Sequence, residues 1–417
     1  VLPGRGPGLA QGDAAMRVLV VNTLYPPQDV GGAERSVARL AEGLAAAGVE
    51  TAVLTLSPSD VVEQTVRGVA IHRRRLKNLY WPYDGQTRAA AKRALWHGLE
   101  AANPLMDGGV DRVVEQVRPD LIHLHLTTGF SQSVHRAAAR RGLPLVQTLR
   151  DWSMMCARAS MFRRGRRCTR RCASCIVLTA GKRARSQEVD HVIGLSGPVL
   201  KAHRDAGYFQ PGAGSVIGNA APLTAPTRRQ AWADEPTLTF GFLGRIEPEK
   251  GIEILLRATT RLKGDWRLRI AGRGDPAYLA RLRAGFPDPR IVWLGQVEAV
   301  DFWPMADVLV APALWAEPFG RAAAEAVQQG RGVIASRIGG LPEAAEGAGA
   351  LALVEAGDVA ALARAMQVAM VEPERWRFAA SRTPRWTEAA VVEAHLAIYD
   401  QLLSRTASRT AADWDQL

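Results

Sequence analysis

From Met16 onward, short apolar runs rich in β-branched residues alternate with longer amphipathic stretches, and this alternation constrains the fold more than any other feature. Residues 17–22 (RVLVVN) read as a strand with a polar end. Residues 36–47 read as a helix, because Val37, Leu40 and Leu44 recur at three- and four-residue spacing and Gly48 closes the run. Strands follow at 51–56, 120–125, 145–149 and 191–196. Parallel strands need helical crossovers, so the pattern predicts a sheet covered by helices on both faces.

The series is then interrupted. Pro198, Pro211, Pro222, Pro226 and Pro236, with several glycines, predict a linker region over 199–236. Strands resume at 237–244 (TLTFGFLG), 266–272, 291–295, 308–312 and 332–336, with helices at 252–262 and 277–284. A last amphipathic stretch, 387–403, carries Val391, Leu396, Tyr399 and Leu403. The expected fold class is α/β, with two tandem Rossmann-like, doubly wound domains facing each other across a cleft. Ligands of such sheets bind outside the carboxyl ends of the strands. The expected domains are 16–198 and 237–385, followed by a helix at 386–405 and a tail at 406–417. Residues 1–15 are expected to be a leader with no role in the fold, Met16 standing directly before the first strand.

Composition removes several alternatives. At 417 residues, 47% hydrophobic and 23% charged, the chain suits two or three globular domains and excludes wholesale disorder and fibrous folds. It has no charge-free stretch of about 18 apolar residues, and residues 1–15 lack the apolar core of a secretory signal. A cytoplasmic location is expected. The net charge of +12 lies wholly in the first half: residues 1–200 hold 28 Lys and Arg against 16 Asp and Glu, whereas 201–417 hold 25 of each. Arg158, Arg163, Arg164, Arg166, Arg167, Arg170 and Arg171 form a cluster. Such a field suits anionic partners, including phosphates and an anionic membrane surface at the inner face of the membrane. The bland alternative is a GC-rich genome placing Arg where Lys or Gln would serve.

Three motifs stand where strands give way to helices. Gly31-Gly32-Ala33-Glu34 lets backbone approach a ligand, and the helix start offers free amides to an anion. Its spacing is not the dinucleotide fingerprint, which argues against a dehydrogenase. Arg245 and Lys250 flank the next such loop and can converge on one polyanion, one as a planar fork and the other as a mobile point charge. The third motif is Glu317-Pro318-Phe319-Gly320, with Glu325 about two turns along the helix. Pro318 suits a first helical turn, and the amides of Phe319 and Gly320 suit a diphosphate. For each motif the plain alternative is a structural turn or a solvated charge.

Taken together and in this order, these motifs resemble those of the family 4 glycosyltransferases, over residues 16–403. The resemblance implies a retaining enzyme of the GT-B fold and glycan biosynthesis as its setting. The first domain would bind the acceptor and the second the nucleotide-sugar donor, with the final helix crossing back onto the first. It implies that Arg245 and Lys250 hold the donor diphosphate, Glu317 contacts the transferred sugar, Glu325 binds the ribose and Gly32 packs against the phosphates. No catalytic metal or cofactor is implied, because basic side chains and helix amides stabilise the leaving group. The partners would be a nucleotide-diphosphate sugar and a saccharide or lipid-linked acceptor. One departure stands out: Arg150 occupies a place where many such enzymes carry His. An arginine cannot act as a base, so it would contact phosphate or sugar differently, or the donor differs. His125, expected to face the cleft, is a second candidate for donor binding.

Cys156, Cys168, Cys172 and Cys175 make up all the cysteine of the chain and fall within the Cys- and Arg-rich insertion 153–185. Four close thiols without an export signal favour a structural zinc site; a bridge or redox pair and free thiols are the alternatives. Two other functional readings stay open. One is a nucleotide-sugar epimerase or a phosphorylase of the same fold, the latter needing a pyridoxal-phosphate lysine from among Lys201, Lys250 and Lys263. The other is a zinc-containing nucleic-acid binder, disfavoured because Phe162 is the only aromatic among the arginines.

Overall fold

The computed structural model describes residues 15–28, 31–59, 63–220, 237–377 and 385–414. The expected leader apart from Ala15, linker residues 221–236 and the last three residues of the expected tail lie outside them. The first half contains β1 (Arg17–Val21), α1 (Gly32–Ala46), β2 (Glu50–Ser57), β3 (Glu63–Val66), β4 (Val69–Arg75), α2 (Ala90–Ala101) and α3 (Asp107–Val117). It continues with β5 (Leu121–Leu124), α4 (Ser133–Arg141), β6 (Leu145–Leu149) and a small hairpin, β7 (Phe162–Arg163) with β8 (Arg166–Arg167). Then come α5 (Ala173–Leu178), α6 (Ala180–Arg185), β9 (His191–Gly194), α7 (Gly197–Asp205) and β10 (Gly214–Val216). The main sheet runs β10-β9-β6-β5-β1-β2-β4-β3 and is parallel except for the β3–β4 edge pair. Val18, Leu19, Val20 and Val21 are fully buried, as expected for a central strand covered on both faces.

The second half holds β11 (Leu238–Leu243), α8 (Ile252–Thr259), β12 (Trp266–Ala271), α9 (Pro276–Gly285), β13 (Ile291–Gly295), α10 (Ala299–Phe302) and β14 (Val308–Ala311). It ends with α11 (Arg321–Gln328), β15 (Gly332–Ser336), α12 (Leu341–Ala344), β16 (Leu351–Val354), α13 (Val359–Val371) and α14 (Pro373–Arg377). Its parallel sheet runs β13-β12-β11-β14-β15-β16. Counted within the domain this is the order 3-2-1-4-5-6, and the reversal falls between β11 and β14. The loops leaving those two strands carry Arg245 and Lys250 on one side and Glu317 to Gly320 on the other.

The expected linker needs correction. Residues 199–220 include most of α7 and all of β10, so the first domain runs past residue 198. Pro198 misleads as a breaker because it sits in the first turn of α7, where its missing amide costs nothing. The expected tail is also shorter, since α15 (Glu388–Trp414) continues to residue 414.

Helix α15 packs against α1, burying Val391, Ile398, Tyr399 and Leu402 with Val18, Val37, Leu40 and Leu44. The Tyr399 hydroxyl lies 2.6 Å from His123 Nδ1, and His123 Nε2 lies 2.7 Å from Thr148 Oγ1. The two halves also meet directly. Trp152, Leu195 and Val199 share an apolar cluster with Ala313, Trp315, Phe319 and Leu341. Trp152 Nε1 donates to the Ala316 carbonyl (2.7 Å) and Ser196 Oγ to the Pro318 carbonyl (2.8 Å). The Gly197 amide, at the N-terminus of α7, donates to the Glu343 carboxylate (3.1 Å), a favourable place for an anion.

Candidate active site

A cleft of about 680 Å³ opens between the carboxyl ends of the two sheets. Its walls include Gly31, Gly32, Arg150, Arg245, Lys250, Glu317, Phe319, Gly320 and Glu325. Residues far apart in sequence therefore meet because each stands in a loop leaving the C-terminal end of a strand or in the helix that follows it.

The second domain supplies two ion pairs. Lys250 Nζ donates to both Glu317 oxygens, at 2.6 and 2.9 Å, and lies 5.2 Å from the centre of the Trp315 ring. Gly251 makes this approach feasible: its φ is +72°, and a Cβ there would come within 1.8 Å of the Pro312 carbonyl oxygen. Arg321 Nη2 donates to Glu325 Oε1 at 3.0 Å, and Glu325 is buried. Arg245 is more exposed and pairs with Glu247 at 2.8 Å, so Arg245 and Lys250 line the same cleft while bonded to different carboxylates.

The N-termini of α1 and α11 both reach this space. Glu34 accepts a hydrogen bond from the Gly31 amide (3.1 Å) and closes the first turn of α1. Gly320 stands before α11 with φ +104°, a conformation that suits glycine. Gly32 faces Arg321 so closely that a Cβ would lie 2.1 Å from Nη1. Two positive helix ends and several cationic side chains, Arg150, Arg245, Lys250 and Arg321 among them, therefore border one hollow, an arrangement suited to a polyanion.

Arg150 enters from the first domain. It is buried, its Nε donates to His125 Nδ1 (2.9 Å) and its Nη1 to Asn219 Oδ1 (2.6 Å). Burial pulls its pKa down to about 9, and among the described residues no carboxylate forms an ion pair with it. His125 does not line the cleft, contrary to expectation. Strand alternation places it on the same side as His123, their ring centres 4.0 Å apart, beneath Arg150. Burial holds both imidazoles well below their usual pKa, so they are neutral.

The expected zinc centre finds no support among the described residues. Among the described residues no group of three or more His, Cys, Asp or Glu is arranged to hold a metal. All four cysteines are free, with Cys156 and Cys175 buried in an apolar cluster that includes Met155 and Phe162. Burial pushes the Cys175 thiol up to about 12, whereas hydrogen bonds from Ser174 and Cys175 bring Cys172 down to about 7.

Sequence reasoning missed Arg321, Asn219, Asp151 and Lys182, all of which line the cleft. Arg321 was within reach, since it directly follows Gly320 at the start of a helix. Asn219 was hidden inside the supposed linker. Asp151, whose pKa burial raises, borders the first-domain end of the cleft with Lys182.

Comparison with known proteins bears on the family and the fold. The family described as "Glycosyl transferases group 1" matches residues 237–370, and "Glycosyl transferase 4-like domain" matches residues 31–220. The chain is 30% identical over 389 residues to a glycogen synthase of Mycobacterium tuberculosis, covering 86% of this chain and 87% of the relative. A Klebsiella pneumoniae "Uncharacterized 42.6 kDa protein in cps region" is 28% identical over 329 residues, covering 79% and 87%. Among solved structures, sucrose-phosphate synthase from Thermosynechococcus elongatus superposes with a TM-score of 0.73 at 21% identity, covering 94% of this chain and all of that one. Anabaena Alr3699/HepE, solved in complex with UDP-glucose, gives a TM-score of 0.66 at 19% identity, covering 93% and 100%.

Proposed function

The chain belongs to the family 4 glycosyltransferases of the GT-B fold, and from that premise we propose that it is a retaining enzyme. It moves a sugar from a nucleotide-diphosphate donor to a saccharide or lipid-linked acceptor. The observation that carries this reading is the convergence of Lys250–Glu317 and Arg321–Glu325 on a hollow bounded by the N-termini of α1 and α11. The UDP-glucose complex of the Anabaena neighbour supports a nucleotide sugar as donor.

In this reading the diphosphate lies against the α11 amides, Arg245, Lys250 and Arg321, which neutralise charge as the bond from sugar C1 to the phosphate oxygen breaks. An ammonium has three donors, so Lys250 can keep its bonds to Glu317 and still reach a phosphate oxygen. Glu317 stands where positive charge develops at the anomeric carbon, and Glu325 holds the ribose diol. Arg150 faces the donor from the first domain and brings a cation that lacks an internal counterion. The acceptor oxygen forms the new bond to C1 on the face the leaving group departs, and its proton passes to the departing diphosphate. Asp151 and Lys182 border the end of the cleft left for the acceptor.

A thermal-shift panel of nucleoside diphosphates and nucleotide sugars tests the donor half. Stabilisation by one nucleotide series, lost in Lys250→Ala, is the expected result. A chain that no nucleoside diphosphate stabilises would refute the assignment.

A further inference from the structure

From Trp152 to Gln187 the chain carries ten Lys and Arg and no Asp or Glu. The structure places this segment at one edge of the cleft. Arg158 and Ser160, before the β7–β8 hairpin, and Leu178 and Lys182, in α5 and α6, line the cleft wall. Helix α2 packs against α5 and lines the same wall through His97 and Ala101. The outward sides of these elements differ from ordinary surface in two ways. Arg163, Arg164, Arg166, Arg167 and Arg170 are exposed, and among the described residues none of them pairs with a carboxylate. Large aliphatic side chains stand bare on α2 and α5: Val177 is 72% exposed, Leu95 64% and Ile176 50%.

Unpaired arginines alone would fit any polyanion. Bare aliphatic side chains on α2 and α5 are of no use against a phosphate backbone, and Phe162, the aromatic within the cluster, is buried and closed to base stacking. Cationic groups together with aliphatic knobs match an interface where anionic headgroups overlie acyl chains. We infer that the outward face of α2, the β7–β8 hairpin and α5 docks on an anionic lipid bilayer, so that the cleft edge meets an acceptor carried in that bilayer. The inference rests on the transferase reading only for the use made of the cleft; the surface itself stands on charge and exposure.

Sedimentation of the full chain with lipid vesicles tests it. Binding to phosphatidylcholine vesicles containing phosphatidylglycerol, and none to phosphatidylcholine alone, is expected. The combined change Arg163→Gln, Arg164→Gln, Arg166→Gln and Arg167→Gln should weaken binding at least about tenfold. Ile176→Asp with Val177→Asp should also weaken it about tenfold, with melting temperature and UDP affinity unchanged in both variants. Equal binding to both vesicle types would overturn the proposal. So would indifference to the aspartates together with equal retention on polyphosphate or nucleic acid, which would mark a general polyanion site. Loss of vesicle binding with UDP affinity intact removes the surface and leaves the transferase; absent UDP affinity with vesicle binding intact does the reverse.

Discussion

The Lys250 ammonium sits 2.6 and 2.9 Å from the two oxygens of Glu317, although 67 positions separate the residues in sequence. Each side chain is more than four-fifths buried, at 17% and 19% exposure. The pair joins the loop after β11 to the loop after β14 across the reversal point of the sheet. It therefore connects the expected diphosphate contact to the expected sugar contact.

Removing either partner should be costly in two separate ways. Lys250→Ala and Glu317→Gln should each reduce transfer by at least about a hundredfold, the scale for losing charge stabilisation in a water-poor site. Each should also lower the melting temperature, because the remaining charge is left without its partner. The double change Lys250→Met with Glu317→Leu should recover stability but not activity. Steady-state rates and thermal unfolding of the three variants check this, and a double variant as unstable as the singles would contradict it.

Gly32→Ala should separate binding from folding. The added methyl meets the far end of the Arg321 side chain, which can swing away, so the melting temperature should change little. The displaced guanidinium no longer lies over the α1 N-terminus, and nucleoside diphosphate affinity should fall about tenfold, the scale of one charge-assisted hydrogen bond. Calorimetric titration reads the affinity directly.

Tyr399→Phe should loosen the crossing helix. It leaves His123 Nδ1 without its 2.6 Å partner in a fully buried place. Such a loss costs about 1–3 kcal/mol, which denaturant unfolding resolves. An unchanged midpoint would mean that apolar contacts alone hold α15.

Stability should decline on the acid side of neutrality. Burial lowers His135, His203 and His395 to about 4, against about 6.5 in an unfolded chain. Between these values the unfolded chain binds the extra protons. The stabilisation is therefore complete above about pH 6.5 and drains away as the pH falls toward 4, by up to about 1.4 kcal/mol per pH unit for each histidine. Glu100 and Asp151, raised by burial, act in the opposite sense. Denaturant titrations between about pH 7 and pH 5 should show the midpoint falling.

Both halves of the fold were legible because central parallel strands are buried on two faces, and so read as apolar runs such as residues 18–21 and 308–311. The edge strands β3 and β10 were not. Edge positions tolerate mixed polarity, and the prolines around β10 read as a linker although Pro198 starts a helix. The zinc expectation is left without support: spacing shows that four thiols are near in sequence, whereas among the described residues no three His, Cys, Asp or Glu are arranged to hold a metal.

Sequence by itself determined the two wound domains, the positions where strands pass into glycine-marked helix starts, and the charge asymmetry between the halves. These depend on local periodicity and on counts, which a linear reading contains. Only the tertiary structure decided that Lys250 pairs with Glu317, that Arg321 lies over Gly32, and that His125 supports Arg150 from below. The first and last depend on which strands become neighbours in a sheet and the second on how two sheets are set against each other, and side chains from separate loops acquire partners only when that packing brings them within hydrogen-bonding distance.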